Sequence, residues 1–144
     1  MADPKRVSLS IPRDTRYLSL VRHTVVVLAR TMGFQPAATS EIEMAVDEAA
    51  SNAIRHANGE GAIAVEAIVD DGGLTITVID GGEAFSFDRV GAGDVDTYHA
   101  QPRAPGGLGV YIIKRFMDEV EYRHRPEIGN ELRMRKYLCP TSTS

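Results

Sequence analysis

The chain has 144 residues, 43% of them hydrophobic and 25% charged, which is the length of one domain and a globular composition that excludes wholesale disorder. At this size folding buries roughly 70% of the unfolded chain's surface, enough for a core without metal or disulfide staples. Twenty acidic against sixteen basic residues give a net charge of −4; with no Trp and 6% aromatics, the chain lacks the basic face and stacking platforms of a direct nucleic-acid binder.

The N-terminal residues Met1 to Arg6 do not resemble a signal peptide, and the longest run of large apolar residues, Val25 to Leu28, is too short to span a bilayer. The lone Cys139 can form no intramolecular disulfide, which fits a reducing compartment. A soluble cytoplasmic protein, not one of the membrane, is expected. Val7, Leu9 and Ile11 alternate with Ser8 and Ser10, the pattern of a strand closed by Pro12. Leu18, Val21, Val25, Leu28 and Met32 then recur at spacings of three and four, which predicts a helix over 14–32 with Gly33 as its stop. That stripe suits packing on the domain's own sheet. Leu20, Val26 and Val27 lie off it and leave a dimer or partner seam open.

Ser40 followed by Glu43 has the form of a capping box, so a second helix is expected over 41–57, its buried side formed by Ile42, Val46, Ala49, Ala50, Ala53 and Ile54. Two strands, 62–70 and 74–80, follow with a tight turn at 71–73. Residues 81–107 are rich in Gly, Pro, Asp and Ala and have little periodicity; so long a stretch inside a small domain reads as a lid or binding loop. A third helix over 107–117 and a hairpin of strands 119–124 and 131–138 complete the chain. The order β-α-α-β-β-lid-α-β-β predicts an α+β fold, a two-layer sandwich with a mainly antiparallel sheet and helices on one face. A single domain over 1–144 with its core at 7–138 is expected.

Three elements carry chemistry. Glu48, Asn52 and His56 are four residues apart and share one polar helical face. A carboxylate and an amide oxygen there suit a hard cation such as magnesium, or Glu48 takes a proton from an attacking hydroxyl; a plain solvated face is the bland alternative. Asp80-Gly81-Gly82 ends a strand where backbone can approach a planar ligand and Asp80 can accept from an amino group, although an ordinary Asp-Gly turn reads the same. Gly106-Gly107-Leu108-Gly109 opens an apolar helix, whose unpaired N–H groups and dipole favour a phosphate. Neither the P-loop nor the dinucleotide fingerprint is present. The four histidines have no zinc-like spacing to one another or to Cys139.

In this order the three elements resemble the nucleotide-binding boxes of the GHKL (Bergerat-fold, histidine-kinase-like) ATPase superfamily. More narrowly they resemble the bacterial anti-sigma factor serine/threonine kinases, or switch-protein kinases. The likeness runs over 7–138 and is most specific from Gly106 through Val120 and in Gly129-Asn130-Glu131-Leu132. It implies the cofactors ATP and Mg2+, with Asn52 holding magnesium at the phosphates and Asp80 receiving the adenine amino group beside Gly82. Gly107, Leu108 and Gly109 would offer the helix N-terminus to the phosphates, residues 88–105 would form a lid, and Glu48 would be the general base or water-positioning group. His56 would buttress the helix face. Ala84 departs from the glycine common in the wider superfamily, Phe85 suits the narrower family, and Arg89 and Arg103 are the lid's basic side chains. The implied function is an anti-sigma factor with ATP-dependent serine/threonine-protein kinase activity. Its partners would be a sigma factor and a small STAS-type anti-anti-sigma protein, and the family suggests a homodimer. A nucleotide-binding partner switch with little or no kinase activity is the alternative; a domain in which the glycines are only turns is a third reading. No phospho-acceptor helix pair precedes the domain, so a complete sensor histidine kinase is not expected.

Overall fold

Among the residues that the computed structural model describes, 3–56, 61–81, 107–125 and 129–138, the chain forms five strands and three α-helices. They are β1 (Lys5–Pro12), α1 (Leu18–Met32), α2 (Pro36–His56), β2 (Ala62–Asp70), β3 (Gly73–Asp80), α3 (Gly107–Phe116), β4 (Glu119–Arg125) and β5 (Gly129–Tyr137). The sheet runs β1-β2-β3-β5-β4, and every pairing is antiparallel. The expected α+β sandwich is thus present. The expected lid at 88–105 lies outside the described residues.

Two helix starts differ from expectation. The region after β1 is a 3-10 turn, Thr15–Tyr17, whose Asp14 cap accepts from the Arg16 backbone N–H at 2.9 Å; α1 begins only at Leu18. Helix α2 starts at Pro36, more than a turn before the expected position, with the Thr39 N–H donating to the Gln35 carbonyl at 2.9 Å. Proline suits a first helical turn because its missing N–H would have no intrahelical acceptor there. Ser40 therefore lies within the helix and makes no capping box with Glu43. Pro12 closes β1 on the edge of the sheet, where no ladder bond depends on its N–H.

The core follows from period. Ile63, Val65 and Ala67 on β2, Leu74, Ile76 and Val78 on β3, and Leu132 and Met134 on β5 all point to one face and are buried. Against them lies the expected side of α2, Ile42, Val46, Ala49, Ala50, Ala53 and Ile54, joined by Ala45. Each large aliphatic side chain buried here contributes about 1.5–3 kcal/mol, and the alanines let the helix approach the sheet closely. Leu18, Val21, Val25 and Ala29 bury the inner stripe of α1, whereas Leu20 and Val27 are exposed. Arg22 bonds Asp47 at 2.9 Å across the two helices. Lys136 bonds Glu41 at 2.9 Å and the Phe116 carbonyl, an orphan acceptor at the end of α3.

The β2–β3 turn is pinned from both sides. Asp70 accepts from the backbone N–H groups of Gly72 (2.8 Å) and Gly73 (3.0 Å), and from both terminal nitrogens of Arg135 at 3.0 Å. The two halves of the sheet meet where β3 pairs with β5, in a ladder that runs from Gly73 opposite Tyr137 to Asp80 opposite Asn130. None of the described helices is long and apolar enough to cross a membrane.

Candidate functional site

Polar residues interrupt the buried rows at one place. The inward row of β3 ends Leu74, Ile76, Val78, Asp80, and that of β5 begins Asn130, Leu132, Met134. Asp80 is 6% exposed, Asn130 3%, and Asn52, facing them from α2, 4%. Buried polar groups are costly unless satisfied, so three of them in one spot mark a built site. Between them lies a shallow cleft lined by Ala49, Asn52 and Ala53 of α2, Val78 and Asp80 of β3, Tyr122 of β4, and Asn130 and Leu132 of β5. Apolar walls with a few converging polar atoms are the usual form of a small-molecule pocket.

Asp80 lines the cleft, and its Oδ1 accepts from Asn130 Nδ2 at 3.1 Å. The Asn130 side-chain oxygen accepts in turn from the Tyr122 hydroxyl and lies 3.1 Å from His124 Nδ1. Gly129, next to Asn130, has φ +113°, and a Cβ there would stand 2.0 Å from the Asp80 carbonyl oxygen and 2.7 Å from the Gly81 Cα. Only glycine lets β5 begin so close to the end of β3.

The second wall is the polar face of α2. Asn52 lines the cleft, and one turn earlier Glu48 lies beside the first turn of α3. The contact is direct: a Cβ on Gly109 would lie 2.5 Å from Glu48 Oε2 and 3.3 Å from Asn52 Nδ2. The glycine brings the N-terminus of α3, with its unpaired N–H groups, against both side chains. The Asn52 oxygen accepts from Arg55 Nη2 at 2.5 Å, and the same guanidinium donates to Ser51 Oγ at 2.5 Å. Burial pushes the Glu48 carboxyl above its ordinary range, and the neighbouring negative charge of Asp47 adds to this, while Arg55 opposes it.

The structure thus brings Glu48, Asn52, Asp80 and Gly109 around one cleft and its rim, and Gly107 and Leu108 open α3 beside them. Gly82 lies outside the described residues, as do Ala84, Phe85, Arg89, Arg103, Cys139 and the side chain of His56. Sequence reasoning attached no role to Tyr122, Asn130, His124 or Arg55. A signal was available for Asn130, since a polar residue in register with Leu132 and Met134 stands on the inward face.

Among the described residues no group of three His, Cys, Asp or Glu side chains is placed to hold a metal ion. The donor set is a nearby carboxylate, a helix N-terminus and the Asn52 amide, which as placed turns its oxygen to Arg55 and its Nδ2 to Gly109 and would have to turn over to offer that oxygen beside α3. Those groups suit a hard cation that arrives with phosphates and keeps much of its water.

Residues 11–136 match the model of the histidine kinase-like ATPase domain. The chain is similar to the serine-protein kinase RsbW of Bacillus pumilus, 34% identical over 140 residues that cover 92% of this chain and 85% of the relative. It is also similar to the proteins of that name from Bacillus velezensis, 31% identical with 92% and 85% covered, and from Bacillus cereus strain AH820, 30% identical with 93% and 86% covered. With the cleft, the carboxylate in its wall and the glycine-opened helix packed beside it, the chain belongs to the histidine kinase-like ATPase family, among relatives of the serine-protein kinase RsbW.

Proposed function

We propose that the protein is an ATP-dependent serine/threonine-protein kinase that doubles as an anti-sigma factor. In this reading it acts in the cytoplasm, phosphorylates a STAS-type anti-anti-sigma protein and sequesters a sigma factor. The observation that carries the enzymatic part is the meeting of Glu48, Asn52 and the N-terminus of α3 at the rim of a cleft that contains Asp80. Asp80 has the acceptor needed for an exocyclic amino group, and Ala49, Ala53, Val78 and Leu132 give a planar base apolar walls.

The N–H groups of Gly107, Leu108 and Gly109 would receive phosphate oxygens, and Asn52 with those oxygens would hold Mg2+. Bound there, the ion would neutralise phosphate charge. The work of this chain is then positioning and proton transfer. The oxygen of the partner's hydroxyl forms a bond to the γ-phosphorus, the bond from that phosphorus to the bridging oxygen breaks, and ADP leaves with the electron pair. The hydroxyl proton passes to Glu48. A carboxylate whose proton affinity is raised by burial is better suited to this than a solvated one.

The test is transfer of labelled phosphate from magnesium-ATP to a purified anti-anti-sigma protein. Asn52→Ala should abolish labelling and weaken magnesium-dependent nucleotide binding; no labelling by the parent, with Asn52→Ala binding ATP normally, would overturn the reading. Co-purification of a sigma factor in the presence of ATP tests the second half.

A further inference from the structure

The hydrogen bonds that tie Asp80 to the neighbouring cleft wall form a chain that the proposed phosphoryl transfer does not use. Asp80 Oδ1 is 3.1 Å from Asn130 Nδ2, and the Asn130 oxygen takes the Tyr122 hydroxyl with His124 Nδ1 at 3.1 Å. These groups come from three adjacent strands. Asp80 and Asn130 are register partners between β3 and β5, and His124 is opposite Asn130 on β4. Their chemistry decides the orientation of the amide. A carboxylate oxygen is an acceptor, so Asn130 must present its NH2 group to Asp80, and its oxygen must then face donors. Tyr122 supplies one, and His124 supplies another with the hydrogen on Nδ1. Turning the amide over would set oxygen against carboxylate and break every bond of the chain at once.

The consequence lies at Asp80. A carboxylate on a short side chain can swing about χ2, a broad torsion. Here one oxygen is tied by an amide that is itself fixed, in a place where both residues are almost fully buried. We infer that Asn130, locked by Tyr122 and His124, is a specificity-determining positioning residue: it sets the Asp80 carboxylate in the one orientation that rewards a purine bearing an exocyclic amino group. The inference rests on the reading of the cleft as an adenine-nucleotide site and adds the residue that gives this site its discrimination.

The test uses the full chain and calorimetry with two probes, ATP and purine riboside 5′-triphosphate, which lacks only the amino group. The parent should bind ATP more tightly by about tenfold or more, the worth of one hydrogen bond to a charged group. Asn130→Leu, similar in shape and without donor or acceptor, should lose that preference: ATP weakens about tenfold while the analogue stays within about twofold of the parent. Tyr122→Phe removes one hydroxyl, is expected to keep the fold, and should erode the preference by about two- to fivefold in the same one-sided way. Where circular dichroism shows Asn130→Leu unfolded, the Tyr122→Phe ratio decides alone. Equal weakening of both nucleotides in the variants, or an unchanged ratio in them, overturns the inference and leaves the adenine-nucleotide reading standing. A parent that binds neither probe, or binds both alike, overturns the role of Asp80 and the inference with it.

Discussion

Gly109→Ala bears chiefly on the contact between α3 and the carboxylate of Glu48, and more weakly on Asn52. The new methyl group would start 2.5 Å from Glu48 Oε2, whereas non-bonded heavy atoms settle at about 3.5 Å, so the carboxylate must recede by about 1 Å. Because the obstacle is the end of a flexible side chain, folding should hardly suffer. Alanine in place of glycine in a helix is worth up to about 1 kcal/mol in favour of the variant. The backbone N–H of residue 109 survives the change, so nucleotide affinity should stay within a few-fold of the parent. Chemistry should not: a displacement of about 1 Å in a positioned group costs on the order of a hundredfold in rate. The assay combines single-turnover phosphate transfer, nucleotide Kd and a thermal melt on the same preparation. Transfer within twofold of the parent would refute the role of Glu48 in the reaction. A fall in transfer matched by a fall in melting temperature would show that the glycine serves the fold.

Further outcomes follow from other contacts. Burial raises the Glu48 pKa, so the acidic limb of the pH–rate profile should lie above the ordinary carboxylate range. Asp47→Asn should move that limb to lower pH and Arg55→Gln to higher pH, as pH-rate measurements on the two variants would register. The same raised pKa means that the stability associated with the neutral form is present below the unfolded pKa and lost as pH rises through the folded one. Glu48→Gln should therefore melt higher than the parent at neutral pH, with the gain vanishing in acid. Asp70 behaves in the opposite sense: hydrogen bonding from Arg135 holds its carboxyl below the usual range, so its contribution is present at neutral pH and is lost as pH falls through the folded value. Asp70→Ala, which also strips the caps from Gly72 and Gly73, should cost about 1–3 kcal/mol in urea titrations at pH 7. Gly129→Ala meets backbone atoms at 2.0 and 2.7 Å at a positive φ and should destabilise by about 3 kcal/mol or more, most directly seen as a lower urea midpoint.

Most of the fold was legible because its signals are local. The strands, the helical stripe from Leu18 to Met32 and the alanine-rich face of α2 were each readable from local pattern, and burial follows them except at Val7, which is exposed on the edge strand β1. The start of α2 was misread because Ser40 and Glu43 mimic a cap, while the true opening at Pro36 uses a residue that usually signals a break. Glu48, Asn52 and Asp80 were identifiable as candidates since each sits in a short motif with a chemical reason. Asn130, Tyr122 and His124 were harder to see. They matter only through a network across three strands, and Asp80 lies fifty positions from Asn130. No local pattern encodes such a meeting.

That separation has a kinetic consequence. The β2–β3 and β4–β5 hairpins close between near neighbours and can form in microseconds, but β3 pairs with β5 over separations of fifty residues and more, whose closure entropy must be met first. Docking of the two half-sheets and completion of the cleft are therefore one event, with Asp80 supplied by one hairpin and Asn130 by the other. A ligand seated there would act as a clasp on one of the long-range joints of the sheet, the other being the pairing of β1 with β2. At a hundred times its Kd it would add about 2.7 kcal/mol to the docked state alone, making nucleotide a gauge of whether the newly made chain has finished folding.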